Sequence, residues 1–154
     1  MTGRAAAAVT AWAVSRAVVV IAATSSLGRG TLFNDPNLLW AWATGSPFDG
    51  ADAPDLAEYP GLARLLALSA RLTPSPETFG WAWIAAMLVV DLLVLLVLWR
   101  ARPAAGWFWV VSGAAVGPVM WLRYDLLVAL LALVAVAQRQ RRPGWAGVAL
   151  GLAV

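Results

Sequence analysis

PAAGWFWVVSGAAVGPVMWLRYDLLVALLALVAVAQ, residues 103–138, lies between two arginine clusters, Arg100 with Arg102 before it and Arg139, Arg141 and Arg142 after it. Clusters of this kind stay on the cytoplasmic side of a membrane. If both do, the 36 residues between them either cross twice and turn on the far side or do not cross at all. Two crossings leave about 17–18 residues each, near the lower limit for spanning the hydrocarbon core. The one polar centre for a turn is Trp121-Leu122-Arg123-Tyr124-Asp125, just after Gly117-Pro118. A single long helix would put the clusters on opposite sides, and Pro118 would break it. The expected spans are therefore 104–120 and 123–138.

Composition agrees with a membrane setting. Of 154 residues, 62% are hydrophobic and 12% charged, against about 45–50% apolar and about 25% charged in soluble domains. Eight of the ten tryptophans (Trp12, Trp81, Trp83, Trp99, Trp107, Trp109, Trp121 and Trp145) fall near the ends of apolar runs. Interfacial belts use Trp in this way. All eleven basic residues are arginine, and Lys, His and Cys are absent. This excludes histidine acid–base catalysis, a lysine Schiff base, disulfides and His or Cys metal sites. The net charge of +3 sits at membrane borders and gives no nucleic-acid face.

Working outward, Ala5–Leu27 is an apolar run long enough to span, interrupted only by a few hydroxyl residues and Arg16. A cleaved signal peptide is the rival, but such an apolar region is about 7–15 residues long. Phe79–Trp99 is the second span, and a partial fifth opens at 144–154. The fold expected is all-α: a multi-pass transmembrane bundle in the plasma membrane, N-terminus cytoplasmic, with an acidic outer loop, 28–78, carrying short helices. Arg16 and Asp91 fall inside spans, where charges are rare and usually paired. Arg16 is 12 residues from Arg4 and Asp91 is 9 from Arg100, about 18 and 14 Å deep at about 1.5 Å per residue. The similar depths predict a structural ion pair; ion-coupled transport is its functional alternative.

The loop holds five of the eight acidic residues: Asp35, Asp49, Asp52, Asp55 and Glu58. Asp35, soon after the first span, is placed to take a proton from a hydroxyl acceptor, which requires hydrogen-bond reach. Asp35-Pro36 also reads as an N-cap and first helical residue for a helix through 37–44. Glu58-Tyr59 can hydrogen-bond sugar hydroxyls, or simply start a helix where an acid is favoured. Phe48-Asp49-Gly50 is a turn signal. After Pro60, residues Leu62, Leu65, Leu66, Ser69 and Leu72 share one side and Arg64 and Arg71 another, an amphipathic helix. Arg123 near an outer turn can hold a phosphate by charge-assisted hydrogen bonds, or pair with Asp125 to close the hairpin. No nucleotide-binding motif is present, so a sugar donor would be lipid-linked.

Taken in order, several of these stretches resemble the polytopic actinobacterial glycosyltransferases of family 87, in the GT-C superfamily. They are Ala11-Trp12-Ala13-Val14-Ser15-Arg16; Asp35; Gly45-Ser46-Pro47-Phe48-Asp49; Glu58-Tyr59-Pro60; Gly106-Trp107-Phe108-Trp109; and Gly117-Pro118 leading to Arg123-Tyr124-Asp125. The resemblance implies a polyprenol-phosphate-mannose-dependent α-mannosyltransferase working on the extracytoplasmic face with inversion. It makes Asp35 the catalytic base and Asp49, Glu58, Tyr59, Arg123 and Asp125 substrate-binding residues. No cofactor is expected beyond the lipid-linked donor, with the divalent-metal requirement open. The partners implied are the bilayer, a polyprenyl-phosphate sugar and a glycan or glycolipid acceptor. This chain has Leu38 and Leu39 where the family has tyrosines and Gly61 where it has a second proline. Family members are longer, so the sequence reads as an N-terminal portion of such an enzyme. A small non-enzymatic or degenerate integral membrane protein is the alternative.

Overall fold

A computed structural model describes residues 3–26, 33–47, 61–122 and 125–153. These residues are all-helical, with no strand among them. The helices are α1 (Gly3–Ser26), α2 (Asn34–Thr44), α3 (Gly61–Leu68), α4 (Pro76–Ala101), α5 (Pro103–Val116), α6 (Val119–Leu122), α7 (Asp125–Gln138) and α8 (Pro143–Ala153). A 3-10 turn, Ser69–Leu72, continues α3.

The central element is α4, which packs against α1, α2, α5, α6 and α7. Its start is set locally. The Ser75 hydroxyl accepts the Thr78 N–H at 3.2 Å, and Pro76 occupies the first helical position, where its missing N–H costs no intrahelical bond. Its far end turns within one residue: Arg102 closes α4 by donating its N–H to the Leu98 carbonyl and at once precedes Pro103, the first residue of α5. Gly106 makes so tight a hairpin possible, since a Cβ there would lie 2.8 Å from the Trp99 ring. Ala23 near the end of α1 and Ile84 near the start of α4 share a small cluster with Phe33. Arg16 meets Asp91 seven residues along each helix, so α1 and α4 run antiparallel.

Two helices, α1 and α4, are long and apolar enough to cross a membrane. The helix in the first predicted span covers 3–26 and that in the second 76–101. Between Arg102 and Arg139 the chain is not one rod. The helices α5 and α7 hold 14 residues each, about 21 Å at about 1.5 Å per residue. That is short of the roughly 30 Å hydrocarbon core. The helix expected over 104–120 stops at Val116 because Gly117 leaves the helical region at φ 71°, ψ −151°. A Trp121 N–H to Pro118 carbonyl bond of 3.0 Å then starts the single turn α6.

The largest buried cluster joins Leu39 of α2, Trp83, Met87 and Val94 of α4, Trp121 of α6, and Leu126 and Leu130 of α7. Much apolar surface remains uncovered: Val14, Val18 and Ile21 of α1 and Phe108 and Val111 of α5 each expose more than half of their area. The amphipathic stripe expected after Pro60 is rearranged. Ala67 and Ala70 are buried there, whereas Leu65 is 65% and Leu72 87% exposed. Leu65 lies within α3 itself, whereas Leu72 falls where the chain tightens to three residues per turn from Ser69 onward, so that the 3.6-residue projection no longer holds.

Replacing Gly106 with Ala should lower stability by about 1–3 kcal/mol, the usual result of overpacking a close contact. Gly144→Ala, whose new Cβ would meet nothing within 4 Å, should leave it unchanged. Thermal unfolding of the two purified variants checks this, and equal melting temperatures would remove the argument for a tight α4–α5 hairpin.

Candidate functional site

Halfway along α4, Asp91 is wholly buried, and Arg16 of α1, 2% exposed, reaches it. Arg16 Nε donates to Asp91 Oδ2 at 2.7 Å and Nη2 to Oδ1 at 3.3 Å. Three indole N–H groups converge on the same carboxylate. Trp109 donates to Oδ1 at 2.6 Å, Trp12 to Oδ2 at 2.8 Å, and Trp121 to Oδ2 at 3.4 Å. The rest of the guanidinium is used as well: Nη1 donates to the Val110 carbonyl at 2.9 Å and Nη2 to the Trp109 carbonyl at 3.3 Å.

Gly113 admits this guanidinium, because a Cβ there would come within 2.6 Å of Arg16 Cζ. Four helices, α1, α4, α5 and α6, thus meet at one carboxylate. The pair predicted from depth is present as a contact, and its polar atoms are engaged in the way a buried charge requires. An ion-coupled role would need an open position on the carboxylate, and both oxygens are already occupied by donors.

A second group of residues lies at the end of the bundle where α1 finishes and α4 begins. Phe33 is 3% exposed and sits over Gly80, where a Cβ would come 2.6 Å from its ring. It also meets Trp81 edge-on, with ring centroids 5.1 Å apart. This wedge fixes where α2 starts. Phe33, not Asp35, is the residue before the helix, and its carbonyl accepts the Asn37 N–H at 2.7 Å. Asp35 sits in the first turn and makes no cap bond, a correction to the N-cap expectation. The reason is local: Phe33 is anchored by packing, and Pro36 is tolerated in the first turn because those N–H groups have no intrahelical partner. Asp35 is half-buried, and its carboxylate has no hydrogen-bond partner among the described residues.

Nearby polar atoms are also unspent. Asn37 Oδ1 and Trp40 Nε1 of α2, and Trp83 Nε1 of α4, are buried without a partner among the described residues. Each such atom costs about 1–3 kcal/mol. Arg71 donates Nε to the Ala43 carbonyl at 2.7 Å, a cation closing the negative end of a helix. An open cavity of about 530 Å³ lies there, lined by Trp42, Ala43, Thr44, Gly45 and Arg71.

Of the remaining predicted residues, Asp125 lies exposed in the first turn of α7. Asp49, Glu58, Tyr59 and Arg123 lie outside the described residues. The helix bearing Asp35, α2, packs on both α4 and α6. Among the described residues no three acidic side chains gather as a metal site.

Sequence reasoning missed the indole donors, since Trp12, Trp109 and Trp121 were expected in interfacial belts. Trp12 had a usable signal: it precedes Arg16 by four residues, so both share a helix face. Arg71 as a cap on α2 and Gly113 as a seat for Arg16 had none, because both contacts join distant segments.

Asp91→Asn should destabilise the fold by about 3–5 kcal/mol by leaving Arg16 buried and unpaired. The double change Arg16→Met with Asp91→Leu should cost less than the single one, as removing both charges removes the desolvation penalty. Unfolding midpoints of the variants decide this; an Asp91→Asn midpoint equal to that of the parent would show that the pair holds nothing together. Compared with known proteins, the chain matches no family model, no curated protein and no solved structure.

Proposed function

We propose that this chain is an integral membrane protein and the amino-terminal module of a glycosyltransferase that uses a polyprenyl-phosphate sugar. The observation that supports the reading is the packing of α2, the helix that bears Asp35, on α4 and α6, with Phe33 at its start seated over Gly80, near the end of α4 away from Arg100. The uncovered apolar faces of α1 and α5 support a lipid surround, because contiguous exposed apolar surface of this kind marks a membrane or a partner. In this setting α1 and α4 cross the bilayer. The α5–α6–α7 segment is a shorter hairpin whose turn, buried against α4 through Trp121, is of the kind tolerated at membrane depth when covered by protein.

In the proposed reaction the Asp35 carboxylate takes the proton of an acceptor hydroxyl. The oxygen then attacks the anomeric carbon from the side opposite the phosphate, the bond from that carbon to the phosphate oxygen breaks, and the configuration inverts. Arg123 stabilises the departing polyprenyl phosphate as charge develops on it. Asp49, Glu58, Tyr59 and Asp125 bind the sugars, and the buried polar atoms of Asn37, Trp40 and Trp83 suit a hydroxyl-rich ligand. The resemblance supplies mannose as the sugar and the cell envelope as the acceptor's home. A second reading, a non-enzymatic assembly subunit, draws on the exposed apolar residues of α8, Trp145 and Val148 among them, which suit a partner helix.

The test uses membranes from cells expressing the whole open reading frame, incubated with radiolabelled polyprenyl-phosphate-mannose. Asp35→Asn should lower transfer by about 10²–10⁴-fold, the contribution of a general base; unchanged transfer would remove Asp35 from the chemistry. Sidedness is tested separately. The chain has no cysteine, so single cysteines at Thr44 and Arg141 can be labelled with an impermeant maleimide. They should react from opposite sides of sealed vesicles, and labelling from the same side would refute the arrangement.

A further inference from the structure

At the end of the bundle away from Asp35, a cavity of about 580 Å³ opens between α4 and α7. Three arginines are among the residues that line it, Arg100 of α4 and Arg139 and Arg141 of the turn after α7. Its walls include Val97 of α4 and Leu133 and Val134 of α7. The turn is built to bring the arginines there. The backbone N–H groups of Arg141 and Arg142 both return to the Gln138 carbonyl, at 3.1 and 2.8 Å, which folds the chain back over the end of α7 toward α4. Among the described residues none of the three arginines has an ion-pair partner, and no acidic residue lines the cavity. The three arginines are exposed and carry like charge, and the half-buried apolar side chains of Val97, Leu133 and Val134 beside them offer no counterion.

We propose that this cavity binds the headgroup phosphate of an anionic phospholipid, with the acyl chains lying along the groove between α4 and α7. The inference rests on the reading that α4 crosses a bilayer, and it concerns the opposite end of the bundle from the proposed transfer site. Charge complementarity selects the occupant. Guanidinium groups match phosphate oxygens in planar, paired hydrogen bonds, and basic pockets between helices on the cytoplasmic side hold anionic headgroups. A free phosphate would use the rim but not the walls of Val97, Leu133 and Val134, whereas a lipid uses both.

The full chain is reconstituted with equimolar phosphatidylglycerol and phosphatidylcholine vesicles, and vesicle flotation is measured alongside the lipids retained in native mass spectra. The wild type should float and should retain phosphatidylglycerol in preference. Arg139→Gln with Arg141→Gln should reduce that preference by about tenfold or more, as each arginine near a lipid surface contributes about one further factor of five. Arg102→Gln with Arg142→Gln removes the same charge outside the cavity and should keep the preference. Equal retention of the two lipids by floating wild-type protein overturns the proposal while leaving the membrane reading intact. The same holds if the control pair loses as much as the cavity pair, which would mean general charge attraction. Displacement of the lipid by millimolar inorganic phosphate would also overturn it, since the headgroup anion alone would then be the ligand. A chain that does not float overturns the membrane reading and this proposal together.

Discussion

A carboxylate with no exposed surface holds this bundle in register. Asp91 receives donors from Arg16, Trp12, Trp109 and Trp121, so its two oxygens fix the relative heights of α1, α4, α5 and α6. Apolar packing alone would let such smooth helices slide, because Ala, Val and Leu faces fit in many registers. A buried charge does not, since any slip of one turn leaves it unsolvated and unpaired, at a cost of several kcal/mol. Specificity of register is the best-attested use of a buried polar group. Gly113 takes part in the same constraint by leaving room for the guanidinium.

The end of the bundle that carries Asp35 depends on that register. Phe33 finds Gly80 and Trp81 only if α1 and α4 are correctly aligned, and Phe33 in turn fixes the first turn of α2. The side chains that could do chemistry are thus placed by contacts made some distance below them. The unspent polar atoms of Asn37, Trp40 and Trp83 belong to α2 and α4, the two helices that this chain of contacts positions.

Much of the architecture was legible in the sequence because the signals were local or counted in helical turns. Long apolar runs gave α1 and α4, and Gly117-Pro118 gave the break before residue 119. Similar depth from the flanking arginines paired Arg16 with Asp91. What was not legible came from contacts between distant segments. Three tryptophans that look interfacial by position turn inward to Asp91, since an indole N–H is a donor wherever an acceptor lies buried within reach. Helix α2 begins earlier than the Asp35-Pro36 signal suggests because an aromatic anchor outweighs a cap. In the segment after Pro60, Leu72 left its projected stripe because a change of helical pitch at Ser69 cannot be read from apolar spacing. The proposed catalytic group divides in the same way: Asp35 and Asp125 have places in the fold, while Asp49, Glu58, Tyr59 and Arg123 belong to segments outside the described residues.

The separation of Arg16 from Asp91 along the chain has a consequence for biogenesis. They are 75 positions apart, so during synthesis α1 leaves the ribosome long before its counter-charge exists. Within the proposed bilayer, an arginine at the centre of a lone helix opposes insertion by about 2.5–3.5 kcal/mol. The first helix would then wait at the translocon, or at the interface, until α4 arrives. The α4–α5 hairpin already carries Asp91 with Trp109 bonded to it, so it enters as a prepared acceptor. In that proposed setting, chain order would make the insertion of the first helix conditional on the correct folding of the later ones.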